Sequence, residues 1–226
     1  MNLEHLIKSI QFNLNYLNSS EEGKENSSKI LQAIRIIDRQ FFVKHKSDAY
    51  IDTALPIGYN QTISQPSTVA RMLLLANLQS GNDILELGSG SGWNASIIGF
   101  IVYPGKVVSM DIIANLVEQA RQNLAKLEEQ LSQANRQKLN KIRFQHCNIF
   151  KEVDSWKDTF DRIVITAGIK ESQEKIIEQL AYKILRENEI LVCPHIYGPL
   201  IILKKANDKI MKETTTEQYV FVPLLE

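Results

Sequence analysis

The sequence predicts an α/β protein: a doubly wound, mostly parallel sheet with an antiparallel closing strand, preceded by a helical N-terminal lead-in over residues 1–50. Three observations carry this expectation. From Asn82 onward, short apolar runs alternate with helical patterns, as they do when parallel strands are covered by helices on both faces. The last two strand-like runs are joined only by "ANDKIMKETTT", and a parallel pair would need a longer crossover, so they should lie antiparallel. Before residue 51 the apolar residues recur instead at three- and four-residue steps, the spacing of one helix face.

In chain order, Leu3, Leu6, Ile7, Ile10, Leu14 and Leu17 mark an amphipathic first helix. "NSSEEGKENSS" reads as a polar loop, and Ile30, Ile34 and Ile37 place a second helix at about residues 28–39. "STVARMLLLANL" is helical again. "DILELG" is a strand ending in glycines, "WNASIIGFIV" a helix, and "KVVSMD" a second strand. A long helix with one polar face follows over about residues 112–133, then strands at "KIRFQH" and "FDRIVITA" and a helix at "SQEKIIEQLAYKIL". The strands "EILVCPH", "LIILKK" and "EQYVFVPL" complete the sheet, the last two as the expected hairpin.

The 226 residues, 44% of them apolar, suffice for a substantial core. Lys plus Arg and Asp plus Glu number 26 each, so no global field draws the chain to nucleic acid or to an anionic membrane. Cys147 and Cys193 form no CxxC pattern and read as reduced thiols in a cytoplasmic protein. "MNLEHLIKSI" lacks the features of a secretory signal, and "ILVCPHIYGPLIIL" is too short to span a bilayer. His5, His45, His146 and His195 have no metal-ligand spacing, so no metal is expected. Oligomeric state has no marker in the sequence, and a monomer is taken as the default.

The strongest chemical signal is "LELGSGSG", residues 85–92. Gly88, Gly90 and Gly92 fall where the first strand turns into its helix, letting a ligand approach the backbone. The dinucleotide fingerprint is GxGxxG; here the spacing is GxGxG with Trp93 in the last position and Glu86 two residues before Gly88. That pattern fits a nucleoside-bearing ligand without a pyrophosphate better than it fits NAD. Asp111 ends the second strand 19 residues after Gly92, where an acid can accept from both ribose hydroxyls or cap the helix that follows. Trp93 can flank the ligand or belong to the core.

One further stretch, "LPIGYNQTISQP" at residues 55–66, is neither periodic nor charged, yet it sets Tyr59, Asn60, Gln61, Thr62 and Ser64 among isoleucines. It reads as a turn, a helix cap or a pocket wall. Ser64 stands two residues before Pro66, close enough to help cap the next helix.

With these pieces together, the chain resembles the protein-L-isoaspartate O-methyltransferase family, a branch of the S-adenosylmethionine-dependent methyltransferases. The matching features are "LQAIRIIDRQFFV", "YIDTALPIGYNQTISQPSTVARML", "ILELGSGSGW", "GKVVSMD" and the terminal "FVPL". The resemblance implies a Rossmann-like methyltransferase domain over residues 51–226, S-adenosyl-L-methionine as cofactor, and protein or peptide partners bearing isoaspartyl residues. It implies that the "QTIS" loop covers cofactor and substrate, with Ser64 as the active-site serine and Gln61, Thr62 and Ser64 on the substrate. It assigns Ile63, Glu86, Gly88, Ser89, Gly90, Gly92, Asp111, Asn148 and Thr166 to the cofactor. The chain departs from the family pattern at Asn60, at Asn148 where the family often has Asp, at "TAGIKES" and at "HIYGPLII". Two other readings stay open at this point: a methyltransferase with a different acceptor, and a non-catalytic binding module.

The residue types suit the implied chemistry. A carboxylate with a pKa of about 4 is already ionised at neutral pH, so methylating it needs no strong general base. Catalysis is then a matter of aligning nucleophile, methyl carbon and leaving sulfur. Neutral donors such as those of "NQTIS" hold an anion beside a cation without repelling the one or competing with the other.

Overall fold

The computed structural model describes residues 2–17 and 20–225. Two helices, α1 (Leu3–Leu17) and α2 (Glu21–Ile36), lead through single turns at Arg39–Phe41 and Lys46–Asp48 to a small hairpin, β1 (Leu55–Gly58) and β2 (Gln61–Ile63). Then come α3 (Pro66–Ala76), β3 (Ile84–Leu87), α4 (Trp93–Val102), β4 (Val107–Asp111), α5 (Ala114–Glu128), α6 (Gln133–Gln137) and β5 (Ile142–His146). The chain continues through α7 (Ile149–Glu152), β6 (Phe160–Ile165), α8 (Glu174–Ile184), β7 (Leu185–Pro194) and β8 (Tyr197–Gly198). It closes with β9 (Leu200–Ala206), β10 (Lys209–Thr214) and β11 (Tyr219–Val220).

The main sheet has the order β10-β9-β7-β6-β3-β4-β5. The pairs among β5, β4, β3, β6 and β7 are parallel, and β9 and β10 are antiparallel, which is the expected doubly wound, Rossmann-like sheet. From β3 the chain winds outward through β4 and β5, then returns to β6 on the other side of β3. Strand order therefore reverses at β3, and the crevice beyond its carboxyl end is where such sheets bind ligands.

Alternating strand residues feed two cores, as the two-residue repeat of a pleated strand requires. Ile84, Val164 and Val192 point to the face covered by α1–α4, with Leu6, Ile10, Ile34, Leu73 and Ile97. Leu85, Ile163 and Leu191 point to the opposite face, against Ile177, Leu180 and Ile184 of α8. The lead-in shares one continuous core with the sheet: its Leu6, Ile10 and Ile34 are each no more than 1% exposed. Each such side chain contributes about 1.5–3 kcal/mol of burial.

Two expectations are corrected. The segment read as a polar loop is largely helix: α2 begins at Glu21, with Ser20 as its cap accepting from the Gly23 amide at 3.1 Å (residues 18 and 19 lie outside the described residues). Its first turns carry Glu21 and Glu22, which suit a helix N-terminus. Polar residues also face inward there, where Asn26 Nδ2 donates to Asn77 Oδ1 at 2.6 Å. An apolar-periodicity search misses such a face.

The closing hairpin also uses a different strand from the one expected. β9 pairs with β10, which lies inside the supposed link, through a turn whose Asn207 and Asp208 have φ of 53° and 59°. Positive φ at both central residues is the signature of a two-residue hairpin turn. β10 is an edge strand with no buried residue, so its sequence shows no alternation. The "EQYVFVPL" run supplies only β11, which pairs Tyr219 with Gly198 and Val220 with Tyr197 of β8.

Candidate active site

The glycine segment leaves β3 at the switch point. Gly88 and Ser89 both donate main-chain bonds to the Met110 carbonyl at the end of β4, at 2.8 and 3.1 Å. Gly88 has φ +99°, and a Cβ there would stand 2.4 Å from Thr166 Oγ1, which donates to the Gly88 carbonyl at 2.7 Å. Any side chain there would have to displace the Thr166 hydroxyl and would be strained at this positive φ. Gly92 does different work: a Cβ on it would meet Ala120 Cβ at 2.9 Å, so it lets α4 pack on α5.

Asp111 is both loop anchor and cap. One carboxylate oxygen accepts the Gly90 amide and the other the Ile113 amide, each at 3.0 Å. Each oxygen keeps a lone pair, and Asp111 borders a hollow with Gln61, Gly88, Ile112, Ile113, Asn148 and Pro223. Asn148 caps α7, its Oδ1 accepting the Phe150 amide at 3.1 Å.

Glu86 lies under the loop and is fully buried. Ser109 donates to one of its oxygens and Asn94 Nδ2 to the other at 2.8 Å, while Ser109 Oγ is also 2.7 Å from Ser89 Oγ. Burial pushes the Glu86 carboxyl up to about 7; the two donors oppose that rise and the charge on Asp111 adds to it. Its atoms are engaged from inside the protein, so it acts on a ligand through the loop.

The "LPIGYNQTISQP" stretch folds as the hairpin β1–β2, with Tyr59 and Asn60 at φ 55° and 56° in its two-residue turn. Asn115 Nδ2 donates to Tyr59 Oη at 2.8 Å, tying the hairpin tip to α5. The hairpin is a pocket wall. Thr62, Ile63 and Ser64 line a second hollow with Gly88, Ser89, Gly90 and Thr166. Thr62 and Ser64 also border a third, outward hollow with Gln65, Tyr219, Val220 and Phe221. The first turn of α3 is capped from elsewhere, by Asp52 Oδ1 accepting the Ser67 amide at 2.9 Å. Ser64 is thus not needed as the cap.

Of the sequence-predicted residues, Gln61, Thr62, Ile63, Ser64, Gly88, Ser89, Gly90, Asp111, Asn148 and Thr166 come together around these hollows. Glu86 and Gly92 lie behind them as supports. Trp93 does both of the things its position allowed: it is 1% exposed in the core, with its Nε1 donating to the Ile37 carbonyl at 2.8 Å, and it also borders the second hollow. Sequence reasoning missed Asp52 and the apolar wall of Ile113, Phe150 and Leu224. Asp52, Ile113 and Phe150 have no spacing signal, whereas Leu224 lies in the terminal "FVPL" run that carried part of the resemblance. The two divergent loops meet, since the Ile196 amide donates to the Ile169 carbonyl at 3.1 Å, and the Gly168 amide ties the first of them to the terminal run through the Val222 carbonyl at 2.7 Å.

Comparison with known proteins agrees with this fold. The family model described as protein-L-isoaspartate(D-aspartate) O-methyltransferase (PCMT) matches residues 15–226. A protein-L-isoaspartate O-methyltransferase of Pyrococcus horikoshii is 34% identical over 210 residues, covering 90% of this chain and 88% of that one. One from Fervidobacterium nodosum is 32% identical over 208 residues, covering 88% and 94%. A solved structure from Plasmodium falciparum, assigned to the same enzyme and in complex with S-adenosyl-L-homocysteine, superposes with a TM-score of 0.74 at 23% identity, covering 96% and 97% of the two chains. By the extent of the model match and the identity to its relatives, the chain belongs to the protein-L-isoaspartate(D-aspartate) O-methyltransferase family.

Proposed function

We propose that the protein transfers a methyl group from S-adenosyl-L-methionine to the free carboxylate of L-isoaspartyl residues in proteins and peptides. The observation that carries this reading is the placement of Thr62 and Ser64. They stand between a glycine-lined hollow, which shares Gly88 with the hollow bordered by Asp111, and an outward hollow beside Tyr219 and Val220. A donor held on one side can meet an acceptor entering from the other.

The residues fit the cofactor. Gly88 and Gly90 present main chain without side chains to the hollow they line. Asp111 has acceptor capacity for ribose hydroxyls, the Asn148 amide can meet the adenine amino group, and Ile63 and Thr166 close the sides. When bound, the cofactor supplies an electrophilic methyl group on a sulfonium.

The protein's own part is alignment and exclusion of water. Ser64 and Thr62 hydroxyls, with Gln61, orient the acceptor carboxylate by hydrogen bonds to its ionised form. With the cofactor bound, these side chains would hold the ionised acceptor oxygen in line for direct attack on the methyl group that it supplies. No proton has to be removed, and the side chains of Gln61, Thr62 and Ser64 that face the acceptor are neutral.

Among the described residues no helix is long and apolar enough to cross a membrane. Cys147 and Cys193 are both unpaired, which supports a reducing, cytoplasmic setting, and we take the working form as a monomer. The deciding experiment incubates the protein with methyl-labelled cofactor and an isoaspartyl peptide beside its aspartyl twin. Base-labile methyl ester on the first alone is expected; label on neither, at high enzyme concentration, would overturn the reading.

A further inference from the structure

Arg39 opens the short turn that follows α2 and is 1% exposed. Its guanidinium gathers four main-chain carbonyls. Nη1 donates to Ala49 at 3.2 Å and Ile51 at 3.0 Å; Nη2 donates to Thr53 at 2.9 Å and to Ser64 at 3.1 Å. Its Cζ stands 5.4 Å from the centroid of the Trp93 ring, and Trp93 follows the last glycine of the loop. Burial pulls the guanidinium down to about 10, with Asp52 opposing, so it remains charged at neutral pH.

A buried cation is not required to close residues 49–53 onto the lead-in; an apolar contact would serve and would avoid desolvating a charge. What a rigid planar fork adds is a fixed spacing between several acceptors at once, which a lysine ammonium cannot reproduce. Here that spacing relates the Ser64 main chain to Trp93 at the start of α4. Asp52, on the linker that Arg39 organises, holds the other end of the same segment through the Ser67 amide.

We propose that Arg39 is a positioning residue for methyl transfer: its guanidinium sets the Ser64 main chain against the glycine-loop helix, so that the serine hydroxyl keeps a fixed place between the two hollows. The inference rests on the methyltransferase reading above and deepens it.

The test is a double-mutant cycle on kcat with the isoaspartyl peptide, using wild type, Arg39→Lys, Ser64→Ala and the double variant. Arg39→Lys should lower kcat by roughly tenfold or more in the Ser64 background and by less than about twofold in the Ser64→Ala background, since residues acting as a unit are not additive. Binding of S-adenosyl-L-homocysteine should change less than about threefold. Equal kcat losses in both backgrounds, or a parallel loss of kcat and cofactor affinity, would overturn the proposal. An inactive wild type would instead sink the activity itself, so the two failures are distinct. Arg39→Ala provides a second route: millimolar guanidinium, but not methylammonium, should restore kcat. If Arg39→Lys and Arg39→Ala both fail to fold even with guanidinium present, the residue is purely structural and the proposal falls.

Discussion

The Asp111 carboxylate accepts the Gly90 amide at 3.0 Å, which makes the acid at the end of β4 and the glycine loop at the end of β3 one unit. The same side chain receives the Ile113 amide, so it also starts the segment leading to α5. The two roles read from the sequence, ligand acceptor and cap, are compatible in one residue.

Asp111→Ala should therefore weaken S-adenosyl-L-homocysteine binding by about 1–3 kcal/mol, the range for losing acceptors of buried donors. Calorimetry is the measurement. Unchanged affinity, with a lowered melting temperature, would confine Asp111 to holding the loop.

Ser64→Ala should lower kcat/KM for the isoaspartyl peptide by on the order of ten- to a hundredfold, the worth of a hydrogen bond to a charged group. The melting temperature should hardly move, because Asp52 supplies the α3 cap. A drop in stability with normal turnover would reverse the assignment.

Gly88→Ala puts a methyl group against Thr166 Oγ1 at φ +99°. Strain of that kind costs about 1–3 kcal/mol, and the clash adds to it. Thermal unfolding should show the loss, and relief by Thr166→Ala should be partial, since removing the hydroxyl leaves the backbone strain.

Glu86 makes stability depend on pH in a defined direction. Its carboxyl is raised from 4.5 to about 7 in the folded protein, so between those values the native state binds more protons than the unfolded one. Stability from this group is full below about 4.5 and is lost as pH rises through about 7, with a slope of at most about 1.4 kcal/mol per pH unit. Glu4, Glu25, Asp158 and Glu174 are shifted downward and act at more acid pH. Glu86→Gln should flatten a melting-temperature series between pH 4.5 and 7; an identical profile in the variant would refute the assignment.

The β3-to-α4 turn was legible in the sequence because Gly88 and Gly92 answer to sterics that only glycine meets, and such needs leave a mark in residue type. The parallel strands were legible for a similar reason: Ile84, Leu85, Ile163 and Val164 are buried on both faces and read as continuous apolar runs. Edge strand β10 and the first turns of α2 were not, since neither buries an apolar stripe; a turn at Asn207 and Asp208 and a polar contact from Asn26 to Asn77 hold them instead.

By itself the sequence determined the doubly wound α/β class, the glycine loop, the acid at Asp111 and the serine segment, all set by local periodicity, backbone strain or motif. Tertiary structure alone decided that Glu86 and Gly92 support the site from behind, that Asp52 rather than Ser64 caps α3, and that Arg39 reaches Ser64 across 25 residues of chain. Those are contacts between segments distant in sequence, and no repeat or spacing along the chain encodes which donor will meet which carbonyl.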